Sequence, residues 1–340
     1  MMQIQPQSEN KPVVGAIRWN GWFKGNPWQK NLNPQKWHYR LPFYGVENSE
    51  NEVLCEGDTQ EVMDQEIRYA QEMGLGYWAF LHSHSPTQPW REMEYNYALK
   101  NYLSSSIKTQ VGFCMIISPT LNWVGLVKEV VGFIQEASYQ KVLDGRPLIY
   151  LLFWDSYGRP ENTWGDLTKT REKIDYLRQA VVASGKPDPY LVTLSMETDE
   201  AVRYVDECGL DALSNYACWT NGAFQDLAAV NRARWEEFQA TGHKMVAQVN
   251  AGWDPRPRYE GYYGEVYPTR DWVTNPTPEE LAEHLGSAVD WTRANPEAAE
   301  AQVILVYAWN ETDEGGWLMP TLAEGTARVE AIGRRMRDKG

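Results

Sequence analysis

The sequence predicts a single (β/α)8 TIM barrel with enlarged βα loops. Three observations lead there: eight short apolar runs rich in β-branched and aromatic residues, helical patterns between them, and no low-complexity linker or compositional break across 340 residues. The runs are apolar throughout rather than alternating, as expected of parallel strands covered on both faces. Strand–helix units in that number fit the length of one barrel with insertions. An open doubly wound sheet is the other way to alternate strands and helices. It fits less well, because no GxGxxG or GxxxxGK[ST] follows the first run. One domain is expected over residues 1–340, with residues 1–12 as a disordered or extended arm.

In chain order the strand runs are "VVGAIRWN" (13–20), "YWAFLHSH" (77–84), "VGFCMIIS" (111–118) and "PLIYLLFW" (147–154), then "YLVTLSM" (190–196), "ALSNYA" (212–217), "KMVAQVNAGW" (244–253) and "VILVYAWNE" (303–311). The first helix, "DTQEVMDQEIRYAQEMG", has Asp58 or Thr59 as N-cap and stops at Gly74. "WGDLTKTREKIDYLRQAVVASG" and "TDEAVRYVDECG" also end in glycine. "TPEELAEHLGSAVDWTRANP" has Thr277 as cap, Pro278 at the first helical position and Glu280 closing a capping box. "TLAEGTARVEAIGRRMRDKG" finishes in basic residues, as the helix dipole favours. "GWDPRPRYEGYYGE" (252–265) reads as a loop because of Pro255 and Pro257.

Composition narrows the partners. A net charge of -14 argues against nucleic acid and anionic membranes, both of which select a basic face. No apolar run approaches the roughly 18 residues of a membrane span. The first residues show neither the basic nor the apolar region of a signal peptide, so a cytoplasmic location is expected. Cys55, Cys114, Cys208 and Cys218 have no CxxC spacing, and two of them sit in strand-like or helix-end apolar stretches where cysteine acts as a small hydrophobe. The 16 tryptophans and 19 tyrosines exceed what a core needs. Flat aromatic faces stack on sugar rings, which makes an oligosaccharide or polysaccharide the favoured partner. The sequence leaves the oligomeric state open.

Chemistry in such a barrel gathers where strands meet the following loops. Those ends carry Asn20 and Trp22; His82 and His84; Ser118; Trp154 and Asp155; Glu197; Asn215, Tyr216 and Trp219; Trp253 and Asp254; and Trp309, Asn310, Glu311 and Glu314. Carboxylates after a strand are most often solvated turn residues. Here Glu311 follows Trp309-Asn310 directly, and Glu314 precedes two glycines that let the backbone turn back. Glu311 and Glu314 are therefore the candidate catalytic pair, and Asp313 is assigned to solvent. Trp22, Tyr216, Trp253 and Trp309 are candidate stacking platforms. His82, Asn215, Asp254 and Asn310 are candidates for sugar hydroxyls. Arg256 and Arg258 read either as surface charge or as partners of a carboxylate or an anionic sugar.

No cofactor or metal is expected. His82 and His84 share one strand face, but a metal site needs further ligands from later strands, and His38, His243 and His284 do not supply them. Two other readings use the same residues: a non-catalytic carbohydrate-binding barrel, and a metal-dependent hydrolase built on His82 and His84.

Several of these segments resemble a known group. "NExxEG" (310–315) resembles the "NEWxEG" segment of glycoside hydrolase family 99, the endo-α-mannosidases, and of the related WbsX-like proteins. "GWDPRPR" is similar to the WbsX-like "GWDNTPR" element. "VVGAIRWNGWF", "EVMDQEIRYAQEMGLGYWAF" and "VLDGRPLIY" resemble the first strand, the first helix with the second strand, and the fourth strand. The resemblance implies a (β/α)8 glycosidase that retains anomeric configuration and needs no metal. It implies Glu311 as base on the sugar 2-hydroxyl, through a 1,2-anhydro sugar, and Glu314 as acid and then base. Thr312 stands where the family usually has Trp, which bears on the mannose subsite more than on the chemistry.

Overall fold

Eight parallel strands close into a barrel in chain order: β1 Val13–Arg18, β2 Tyr77–Leu81, β3 Gly112–Ile117, β4 Arg146–Leu152, β5 Tyr190–Leu194, β6 Ala212–Ser214, β7 Ala247–Asn250 and β8 Val303–Tyr307. This computed structural model describes residues 11–153, 159–261, 264 and 269–337. Each strand from β1 to β5 pairs with the next, β7 pairs with β8, and β8 returns to β1 in the register Val13↔Val303 to Ala16↔Val306. The β6–β7 seam is closed by a single parallel bridge, Leu213↔Met245, with the Ser214 hydroxyl donating to the Val246 carbonyl at 2.9 Å.

Each strand is followed by a helix: α1 Gln60–Met73, α2 Tyr97–Ser104, α3 Trp123–Ile134, α4 Leu167–Ala183, α5 Thr198–Cys208, α6 Phe224–Ala240, α7 Pro278–Ala294 and α8 Ala327–Arg337. The predicted caps are in place. Thr59 accepts from the Val62 N–H, Gly74 ends α1 in the left-handed conformation, and Thr277 and Glu280 form the reciprocal capping box of α7. The strand bodies match the predicted runs, apart from residues that peel off into loops at their C-terminal ends. One reading is corrected. Arg256–Glu260 is a short helix, not loop, because Pro257 falls in its first turn, where a missing N–H costs nothing.

The interior is apolar with tyrosines threaded through it. Gly15 on β1 leaves room for the Tyr77 ring, which any side chain would strike at 2.1 Å. The Tyr77 hydroxyl then reaches Tyr150 at 2.8 Å and the Ile304 carbonyl at 3.0 Å, tying β2, β4 and β8 together across the barrel. A buried ion pair sits at the end of β1, where Arg18 Nη2 meets Glu66 of α1 at 2.9 Å, both side chains being fully enclosed. The cysteines are buried and free, as hydrophobes would be. No helix among the described residues is long and apolar enough to cross a membrane.

Candidate active site

The chain leaves β8 through a cis Tyr307–Ala308 peptide and enters a small hairpin, Asn310–Glu311 against Gly316–Trp317. Asn310 pins the hairpin to the exit of β1. Its amide donates to the Trp19 carbonyl and accepts from the Trp19 N–H, both at 2.9 Å, as one more rung of the β8–β1 ladder would. Between the hairpin strands, Thr312–Glu314 form one 3-10 turn that Gly315 ends at φ 84°. Glu311, which caps that turn, and Asp313 and Glu314 within it are all buried.

Gly315 is needed for more than its φ, since an added Cβ would lie 2.4 Å from the Asp254 backbone nitrogen. Gly315→Ala is expected to cost about 2–3 kcal/mol, combining left-handed strain with displacement of the 254 backbone. A urea melt measures it, and a change below about 0.5 kcal/mol would mean the turn adapts.

The guanidinium of Arg258, from the short helix after β7, binds all three acids. Nε and Nη2 contact Asp313 at 2.7 and 3.1 Å, Nη2 also reaches Glu311 at 3.1 Å, and Nη1 binds Glu314. Trp28 and Trp19 lie over the cation, with centroids 4.5 and 5.2 Å from it. Each glutamate has its own tyrosine. Tyr216, after β6, donates to Glu311 at 2.9 Å, and Tyr307, the last residue of β8, donates to Glu314. Burial, and then the neighbouring Glu314 charge, push the Glu311 carboxyl well above the usual carboxylate range; Arg258 and the Tyr216 hydroxyl oppose that.

Beside this cluster Asp254 binds two arginines. Arg256 holds it through both carboxylate oxygens at 2.7 Å, and Arg40 binds its side chain and, at 2.8 Å, its carbonyl. Arg256 in turn lies 3.6 Å from the Trp272 centroid.

The profile of the family described as "Glycosyltransferase WbsX" matches residues 122–332, more than half of the chain. The chain belongs to the WbsX family. Among solved structures, the family 99 endo-alpha-mannosidase of Bacteroides thetaiotaomicron, in complex with Bis-Tris propane, is similar to this WbsX-family chain at 13% identity. That alignment has a TM-score of 0.62 and covers 96% of each chain. A protein described as glycoside hydrolase-like aligns at 12% identity and TM-score 0.62 over 98% of this chain and 97% of that one. At these identities the likeness shows a shared TIM-barrel fold. The sequence matches no curated protein.

Within the WbsX-family barrel, the structure brings Glu311, Glu314 and Tyr216 together, with Trp253 close by. The Trp253 and Tyr216 rings lie 5.6 and 5.5 Å from that of Tyr307. Asp313 is a correction: it is fully buried on Arg258 rather than solvated, and Asn31 donates to it at 2.9 Å. Arg258 pairs with the chain's own carboxylates, which removes the surface-charge reading. Several expected sugar contacts turn inward. Trp22 and Trp309 are fully enclosed, and the Trp22 indole donates to the Asn310 carbonyl at 2.7 Å. Asn215 donates to Gln248 at 3.0 Å inside a buried amide network, and Asp254 is spent on Arg40 and Arg256. His82 and His84 both bind Glu129 of α3, at 2.8 and 3.0 Å, and Asn122 covers the remaining ring nitrogen of His84 at 3.0 Å. Among the described residues no group of three or more His, Cys, Asp and Glu side chains is disposed to hold a metal ion. Trp154 and Asp155 lie outside the described residues.

Trp19, Trp28 and Trp272 line the arginines with partly open rings, and strand-end reasoning missed all three. Only the aromatic density of "IRWNGWFKGNPW" (17–28) hints at the first two.

Proposed function

We propose that this WbsX-family protein is a glycoside hydrolase that cleaves an α-linked glycan with retention of configuration, using Glu311 and Glu314. One observation carries the reading: two buried carboxyls from a single turn share one guanidinium, while a different tyrosine donates to each. Catalysis of this kind needs two carboxyl groups with separate proton duties, and such a setting supplies separate environments.

In the proposed sequence Glu311 takes the proton of the sugar 2-hydroxyl, and that oxygen attacks the anomeric carbon to close a 1,2-anhydro ring. Glu314 gives its proton to the departing glycosidic oxygen. It then takes one from the water that reopens the ring, while Glu311 returns its proton to the 2-oxygen. Burial and the Glu314 charge favour the protonated form of Glu311, and Arg258 and the Tyr216 hydroxyl act against them to stabilise the ionised form that serves as base. Nothing in this sequence calls on a metal ion. The partly open rings of Trp19, Trp28 and Trp272 are the proposed stacking surfaces.

The test is a panel of α-linked oligosaccharides and aryl glycosides with EDTA present, the first-formed anomer being read by proton NMR. Cleavage that survives EDTA and releases the retained anomer is expected. Glycan binding without cleavage would place the chain among binding modules, loss with EDTA would restore the metal reading, and sugar transfer from a nucleotide donor would support the activity in the family's description.

A further inference from the structure

We propose that Arg258 and Asp313 form a positioning unit, in which Asp313 clamps one edge of the guanidinium so that its other N–H groups are aimed at Glu311 and Glu314. The proposal rests on the reading of those glutamates as the reacting carboxyls.

The geometry is that of a held fork. A guanidinium is planar and its five N–H bonds point in fixed directions, so fixing one edge fixes the rest. Asp313 takes the Nε–Nη2 edge at 2.7 and 3.1 Å, leaving Nη1 for Glu314 and the second Nη2 hydrogen for Glu311. Asp313 is fully enclosed and held from behind by Asn31, so it acts through Arg258 rather than on a substrate. Trp28 and Trp19 hold the plane of the cation.

The unit has an electrostatic signature. Glu311 is faced by Arg258 from the segment after β7, by Tyr216 from the segment after β6, and by Asp313 and Glu314 from its own turn. Tyr307 stands on Glu314, and Asp254 with Arg40 and Arg256 lies alongside. Beyond burial, the Asp313 charge raises the proton affinity of Glu311 and the Arg258 charge lowers it. Removing either charge therefore shifts Glu311 in opposite directions, whereas mere loosening of the turn does not.

The experiment compares Asp313→Asn, Arg258→Gln and Arg258→Lys with wild type. The Glu311 carboxyl is followed by carbon-13 NMR of glutamate-labelled protein and assigned through Glu311→Gln. Asp313→Asn is expected to move its titration midpoint to lower pH and Arg258→Gln to higher pH. On any substrate the glycan panel identifies, the acid limb of kcat/KM follows the same two directions. Arg258→Lys, which keeps the charge but loses the fork, keeps the midpoint near wild type and loses about a hundredfold in kcat with KM little changed. Midpoints that stay put, or move together, overturn the proposal, as does full activity in Arg258→Lys. If Arg258→Gln fails to fold, Asp313→Asn and Arg258→Lys still decide it. If no glycan is cleaved, the NMR midpoints still test the unit, and the missing cleavage counts against the catalytic reading alone.

Discussion

Glu311→Gln is expected to lose about a thousandfold or more of glycan cleavage, and as much on activated aryl glycosides as on natural linkages. The equality is the informative part. If Glu311 activates the sugar 2-hydroxyl, every substrate needs it, however good its leaving group. Glu314→Gln is expected to behave differently. It is as damaging on a sugar leaving group, whose oxygen needs a proton, but milder on a nitrophenol, which departs without one. Wild-type protein should also fail on substrates lacking the 2-hydroxyl. Steady-state rates on paired substrates check all three expectations, and a nitrophenol substrate that rescues Glu311→Gln rather than Glu314→Gln would exchange the two roles. The glutamine variants keep the shape of the turn, so melting curves near that of wild type separate lost chemistry from lost fold.

Arg18→Met is expected to destabilise the protein by about 3–5 kcal/mol at neutral pH, because it leaves Glu66 in a fully enclosed site with its ion-pair partner gone, where it must either stay charged uncompensated or take up a proton. Replacing both partners, as in Arg18→Met with Glu66→Leu, should recover most of that loss, since a well-packed apolar pair needs no compensation. The deficit of the single variant depends on pH, with a definite sign. Burial already raises the Glu66 pKa against the opposing charge of Arg18, and removing Arg18 raises it further. The folded state then binds a proton that the unfolded chain, near its ordinary value of about 4.3, releases. Stability therefore falls as pH rises between those two values, and the deficit is larger at neutral pH than near pH 5. Urea melts at the two pH values measure it. A deficit independent of pH would assign the loss to packing alone.

What the sequence reveals about this molecule is local, and what it conceals is long-range. Thr59, Thr277 with Glu280, and the unbroken apolar runs act on near neighbours, so helices and strands can be read from them directly. Pro257 misleads because the same residue that breaks a helix interior suits its first turn. The site divides in the same way. Glu311 and Glu314 stand out by their place after a strand, but the burial of Asp313 is decided by Arg258, 55 positions away. Tyr307 looks like any strand residue until the turn folds back and places Glu314 against its hydroxyl. Trp22 and Trp309 carry the right chemistry for a sugar platform, yet the barrel core encloses Trp309, and a separate apolar cluster with Leu32, Trp37 and Leu41 encloses Trp22.

The tie between Asn310 and Trp19 has a consequence for how this protein is made. The carboxylate turn comes from the last strand's exit, while Asn31, Trp28 and Arg40 come from the loop after the first strand. On the ribosome, the early half of the site emerges long before the late half exists. A nascent chain remains without its carboxylates, and without the last tie between its first and last strands, until the residues around 310–317 have left the exit tunnel. The acidic machinery is thus completed only once those residues have emerged, and no product of translation interrupted before them can contain it.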